Sequence, residues 1–447
     1  MPPVLNLKPQ DIDTNEKRSK YTVSVVGCGQ RGILWADAFA ESGFTVICTD
    51  ADQSLVKKLC KGKSPYSDPN GESKLKGFLN SGKLCTSSEL KKSVSESDIV
   101  ILTLNVKIND KKNPDYSEIE STCKQIGASL RQGALFIYGG IIGLGLIEGL
   151  IKETLENTSG FKAGRDFALA YIPLNPIKTP AQKNDVDIEV TVAATDKASL
   201  ETASNILKTV SKNVKQVSDV KTLELATLFS ITKQDINSAL ANELAMFCES
   251  AGKDYFNVLQ LIDGGRWNFC PTISEEANKN ETYLLNEITE NLNVKLRLPA
   301  LSRQINEDMV KHAVTLTQNA LHSCGKALRR ARVAVLGTAN SQTATEEFIK
   351  SITMKGAKVS LYDPLCRTEA YDATPVLKKS LNETVEGTDC IVILTGQDQF
   401  KRLNIKKLRS LMKSPAVLVD LVGLVEPEKI EKEGFIYCGL GRGVDKN

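Results

Sequence analysis

The chain has 447 residues, of which 41% are hydrophobic and 25% charged, with a formal net charge of +3. That composition fits two or three ordinary globular domains and lacks the basic footprint that nucleic-acid binding needs. No apolar run approaches the roughly 20 residues of a membrane span. Eleven cysteines are dispersed without a C-x-x-C pair, the usage of a reduced, cytoplasmic protein. With only two histidines, His312 and His322, both in helical surroundings, no His-based metal site or triad is expected.

Residues 1–20 read as a loosely ordered polar leader, without the apolar core of a secretory signal. Tyr21 to Asp50 then runs strand, glycine turn, helix, strand. Thr22–Val26 is rich in β-branched residues, and Gly27-Cys28-Gly29-Gln30-Arg31-Gly32 supplies G-x-G-x-x-G. Gly27 allows the tight turn, Gly29 the close approach of a pyrophosphate, and Gly32 close packing of the helix on the strand. The N–H groups of Gln30 and Arg31 open the helix towards the phosphates. Asp50 ends the second strand, where a carboxylate accepts ribose hydroxyls and repels a 2′-phosphate, so NAD is favoured over NADP.

Strand and helix patterns alternate to about residue 215, with buried-type strands at Asp98–Leu104, Ala134–Tyr138, Phe167–Ile172 and Ile188–Ala193. Such alternation builds a mostly parallel sheet with helices on both faces. Thr222–Ala251 contains neither Gly nor Pro and repeats apolar residues at helical spacing, which predicts one long helix. The α/β pattern restarts at Arg330, with strands at Ala331–Gly337, Gly356–Pro364, Asp389–Thr395 and Ala416–Asp420. After its first strand the sequence is G-T-A-N-S-Q, so a second dinucleotide site is not indicated. The expected division is a leader (1–20), an N-terminal Rossmann domain (21–215), a central helical, dimerising region (216–328) and a second Rossmann-like domain (329–447).

This order resembles the UDP-glucose/GDP-mannose dehydrogenase family. Local motifs agree: GKSPYSDP (62–69), NPDYSEIE (113–120), ANELAMFCESAGKD (241–254), INEDM (305–309) and YCGLGRG (437–443). The resemblance implies NAD as cofactor, a nucleotide sugar as substrate and a dimer built on the long helix. It also implies two successive hydride transfers from a sugar C6 alcohol. That chemistry needs a cysteine nucleophile, a lysine and asparagine for alkoxide charge, and a carboxylate for protons.

Most of those positions are substituted. The family's E-S-T falls on Tyr138-Gly139-Gly140, and the glutamate of S-P-E-R on Leu174. In the A-E-x-x-K-x-x-x-N helix the lysine is Thr227 and the asparagine Ile231. Counting back from TYLL (282–285) places Ala277 at the nucleophile and Glu281 at the aspartate after it. Cys270, seven residues upstream of Ala277, is the one cysteine near enough to substitute. The lysine of L-G-x-x-F-K is Ser341, and D-G-R-N reads Asp420-Leu421-Val422-Gly423.

Three readings follow. The chain is a nucleotide-sugar 6-dehydrogenase with a displaced nucleophile, Cys270. Or it is a two-electron oxidoreductase on the same frame, drawing on Lys233, Asp235 or Glu281. Or it binds NAD without turnover, as a homodimer or as the partner of an active homologue. Catalytic groups that act as a unit fail together, which favours the third.

Overall fold

The computed structural model describes residues 4–5, 7–63, 69–173, 189–262, 270–273, 280–337, 342–364 and 376–443. The chain divides into two compact units. One comprises Met1–Ser230 and Tyr283–Val294, the other Ile231–Thr282 and Lys295–Asn447.

The first unit is built on strands β1 (Thr22–Val26), β2 (Thr45–Thr49), β3 (Leu84–Ser87) and β4 (Ile99–Leu102), then, after a small hairpin of β5 (Lys107–Ile108) and β6 (Pro114–Asp115), β7 (Leu135–Tyr138), β8 (Ala168–Tyr171), β9 (Glu189–Ala194) and β10 (Asn213–Val217). They form an eight-stranded sheet in the order β10-β9-β8-β7-β4-β1-β2-β3. Every pairing is parallel except β8 with β9. Strands covered on both faces need no apolar/polar alternation, and β4, β7 and β8 are buried along their whole lengths. Strand order reverses between β4 and β1, which opens a crevice at their carboxyl ends where ligands of such sheets bind.

The leader departs from expectation. Val4, Leu5, Leu7 and Ile12 lie in the same core as β1. The Leu5 amide donates to the Gly133 carbonyl at 2.9 Å, and Asn205 Nδ2 to the Leu7 carbonyl at 3.1 Å. Three apolar side chains within four residues are too few to show a period, yet burying each is worth about 1.5–3 kcal/mol.

The long helix runs from Val220 to Ser250. Its residues to Ser230 belong to the first unit and those from Ile231 to the second. In the second unit β11 (Arg332–Leu336), β12 (Lys358–Tyr362), β13 (Val376–Leu377), β14 (Cys390–Ile393), β15 (Ala416–Asp420) and β16 (Phe435–Gly439) form an all-parallel sheet ordered β13-β12-β11-β14-β15-β16. Together the two sheets give the doubly wound N- and C-terminal architecture that the sequence predicted. Among the described residues no helix is long and apolar enough to cross a membrane.

Candidate functional site

The glycine turn occupies the crevice. Gly27 has φ +94°, a conformation L side chains rarely adopt, and its amide donates to the Thr49 carbonyl at 2.8 Å. The helix Gln30–Glu41 follows at once with Gly29 as its N-cap. A Cβ on Gly32 would lie 1.8 Å from the Gly27 carbonyl oxygen, so only glycine lets the helix seat on the turn. A Cβ on Gly29 would meet nothing within 4 Å, which leaves an open cradle in front of a helix N-terminus. Asp50 sits beside it. One carboxylate oxygen accepts from the Cys28 amide at 2.6 Å and the other from the Asp52 amide at 2.9 Å. A carboxylate has about four lone-pair positions, so two bonds leave capacity for a pair of ribose hydroxyls.

Two supporting residues, Thr103 and Asn105, carry no signal in the sequence. Thr103, just past β4, donates its hydroxyl to the Gly27 carbonyl at 2.6 Å and pins the turn. Arg31 Nη1 donates to Asn105 Oδ1 at 2.7 Å, which ties the start of the helix to the segment after β4. Neither Thr103 nor Asn105 belongs to a linear motif; only the β1–β4 pairing brings them to the turn.

Beyond the β7 carboxyl end the nearest side chains are aromatic and buried. Tyr138 and Tyr171 are fully buried and stacked, with ring centroids 6.3 Å apart. The Tyr138 hydroxyl donates to the Leu104 carbonyl at 3.0 Å. A Cβ on Gly140 would lie 3.2 Å from that hydroxyl, and one on Gly139 would lie 3.3 Å from the Trp35 indole nitrogen. A side chain at either position would press on these aromatic groups and displace them by a few tenths of an ångström. Ile141, Ile142 and Ile172 are buried around them. Thr227 is buried too, with its hydroxyl donated to the Leu223 carbonyl of its own helix at 2.8 Å.

Two carboxylates lie in this unit near the same strand ends. Glu224 is fully buried and accepts from the Gly145 amide at 2.6 Å and the Ile147 amide at 3.1 Å. Burial pushes its carboxyl up to about 7 against those two donors. Glu287 accepts from the Tyr116 hydroxyl at 2.7 Å. Burial, reinforced by that carboxylate, raises the phenol above its usual range.

The remaining candidates fall in the second unit. Cys270 is exposed, yet desolvation by the protein around its sulfur raises its thiol, the opposite of what activates a cysteine nucleophile. Next to it, the Thr272 amide donates to Asn242 Oδ1 at 2.8 Å. Lys233 is exposed. Asp235 is a structural hub: Arg303 pairs with it at 3.0 Å, the Ser302 hydroxyl donates to it at 3.0 Å and Asn306 Nδ2 at 2.9 Å. Glu281 is buried and already engaged in a polar interaction. Ile231 is buried. Asp420 accepts from the Val422 and Val425 amides at 3.1 and 2.9 Å and holds the turn after β15. Leu174, Ala277, Ser341 and the GKSPYSDP residues 64–68 lie outside the described residues.

Comparison with known proteins agrees with this fold. Residues 21–211 match the UDP-glucose/GDP-mannose dehydrogenase family, NAD binding domain, and residues 338–427 match the UDP binding domain of the same family. A UDP-N-acetyl-D-mannosamine dehydrogenase from Pyrococcus horikoshii is 26% identical over 94% of this chain and 99% of its own. A UDP-N-acetyl-D-glucosamine 6-dehydrogenase from Pseudomonas aeruginosa is 24% identical over 91% of this chain and 98% of its own. The solved structure of the Pyrococcus horikoshii UDP-D-ManNAc dehydrogenase superposes with a TM-score of 0.81, again over 94% and 99% of the two chains. That of an NDP-N-acetyl-D-galactosaminuronic acid dehydrogenase from Methanosarcina mazei superposes with 0.72 at 26% identity, over 96% and 98%. The chain belongs to the UDP-glucose/GDP-mannose dehydrogenase family, whose N-terminal domain binds NAD.

Proposed function

We propose that this member of the family binds NAD but does not carry out the four-electron oxidation of a nucleotide sugar. Gly27, Gly29, Gln30, Arg31 and Gly32 would hold the pyrophosphate, and Asp50 the adenosine ribose. The observation that carries the reading is the packing after β7, where Tyr138 and Trp35 crowd Gly139 and Gly140, which bring no side chain. Glycines at these two positions bring no side chain of their own to manage protons beside a nicotinamide, and the carboxylates nearby are held by the Gly145 and Ile147 amides and by the Tyr116 hydroxyl. The raised thiol of Cys270 supports the same reading, since a thioester intermediate needs a thiolate. A protein of this kind acts as a sensor or as a partner of an active homologue, its sugar ligand a UDP-linked N-acetylhexosamine of the class named for the relatives above. On this reading residues 21–215 hold NAD, 216–328 carry a dimer contact and 329–447 hold the nucleotide. The free cysteines fit a reducing, cytoplasmic setting.

The test is to incubate the purified protein with NAD and a panel of UDP- and GDP-sugars and to follow NADH absorbance. No NADH from folded, NAD-saturated protein is the expected result. Two NADH per sugar, lost on Cys270→Ala, would overturn the proposal in favour of a relocated nucleophile. One NADH per sugar would point to a two-electron reaction.

A further inference from the structure

The second unit carries a cavity at the amino ends of its strands, away from the carboxyl ends where ligands of such sheets bind. It measures about 320 Å³ and is lined by Gln318, His322, Lys326, Leu328, Arg329 and Lys355. Leu328 is buried and the wall is mainly apolar; Arg329 and Lys355 stand exposed at its rim, and no carboxylate lines it.

Basic side chains at such a place have an ordinary explanation. The helices Leu298–His322 and Gln342–Met354 both end here, and each brings about half a negative charge on its last carbonyls. Those carbonyls, however, are already taken by backbone. The Cys324 and Lys326 amides donate to the Leu321 carbonyl at 3.2 and 3.0 Å, and the Gly325 amide to the His322 carbonyl at 2.9 Å. At the other helix, Lys355, Gly356 and Ala357 donate to Ser351, Thr353 and Ile352 at 3.2, 2.8 and 3.1 Å. Lys326 is also spent, on Asp389 at 2.9 Å and the Pro415 carbonyl at 2.7 Å. Arg329 and Lys355 remain. Among the described residues neither has a carboxylate partner. Two full positive charges, both exposed at the rim, thus stand against about one negative charge from two capped helix ends.

We propose that this cavity binds a small phosphorylated anion of the pyrophosphate class, at a site separate from the dinucleotide cradle. Arg329 would grip two phosphate oxygens in its planar fork and Lys355 would add a point charge. The volume sits at the lower end of small-ligand pockets. Leu328 would carry the organic part of a nucleotide, so free pyrophosphate and ADP can be told apart by affinity: tighter ADP assigns the apolar wall a role, and equal binding assigns the site to the phosphates alone.

The experiment uses the full-length, NAD-saturated protein, so that the cradle is closed to competing phosphate. Acylation of Lys355 by an amine reagent is followed by mass spectrometry while pyrophosphate is titrated. Labelling should slow about tenfold at saturation, and Arg329→Gln should weaken binding about tenfold, the size of one lost charge-assisted contact, at an unchanged Tm. Calorimetry on Lys355→Gln gives a second measure with Arg329 intact. No protection of Lys355 would overturn the site, as would protection unaltered by Arg329→Gln. Equal protection by sulfate at matched ionic strength would reduce it to charge screening, and protection by a polynucleotide alone would replace the small molecule with nucleic acid.

Discussion

At the scale of single residues, the two glycines of the turn do different jobs, and the difference can be measured. Gly32 faces the Gly27 carbonyl so closely that an added methyl group must push the helix off the strand. Gly32→Ala should destabilise the fold by about 1–3 kcal/mol, the usual cost of overpacking, and lower the midpoint of urea denaturation. Gly29 faces open space, so Gly29→Ala should leave that midpoint unchanged. It should nonetheless weaken NAD binding by about tenfold or more, because the methyl group stands where the pyrophosphate comes closest. Equal NAD affinity in wild type and Gly29→Ala would remove the cradle from the site. Asp235 shows how residue type alone misleads. A carboxylate on the central helix suggests a proton carrier, but Arg303, Ser302 and Asn306 have consumed it. Asp235→Ala should cost about 3–5 kcal/mol by removing the carboxylate that pairs with the buried Arg303 guanidinium. A change below 1 kcal/mol would contradict that assignment.

At the scale of elements, Glu224 joins the start of the long helix to the loop and helix that follow β7. It holds two backbone amides yet sits where burial raises its carboxyl from the ordinary 4.5 to about 7. The sign follows from linkage. The folded chain binds this proton more tightly than the unfolded chain, so the contribution is whole below pH 4.5 and fades as pH climbs through about 7. Compared with Glu224→Gln, wild type should therefore lose about 3 kcal/mol of stability across that window. Urea denaturation of both proteins along a pH series reads the difference, and a flat difference would show that the two amides already compensate the charge. The glutamate is visible in the sequence as part of the A-E-x-x-K helix, but its loop partners are not. They lie 77 and 79 residues away in the chain.

For the molecule as a whole, the long helix leaves apolar surface uncovered. Phe229 is 57% exposed and Phe247 70%, and Leu240 and Leu244 are more than a third exposed. Patches of this kind mark association surfaces. A dimer built on this helix should fall to monomer in Phe247→Glu on size-exclusion chromatography with light scattering. A monomeric wild type would end that reading.

The sequence by itself determined the two mostly parallel sheets, the long helix and the dinucleotide turn. Each is written in short-range signals: β-branched apolar runs, helical spacing without Gly or Pro, and three glycines at fixed offsets closed by Asp50. Only the tertiary structure decided the rest. It buried the leader, because Val4, Leu5 and Leu7 meet a core assembled from distant strands. It set Thr103 against Gly27 through strand pairing across 76 residues. It set Tyr138 and Trp35 in close contact with Gly139 and Gly140. A substitution in a motif reports that a group is missing; what occupies its place depends on side chains that arrive from other elements, and close packing settles which of them fits.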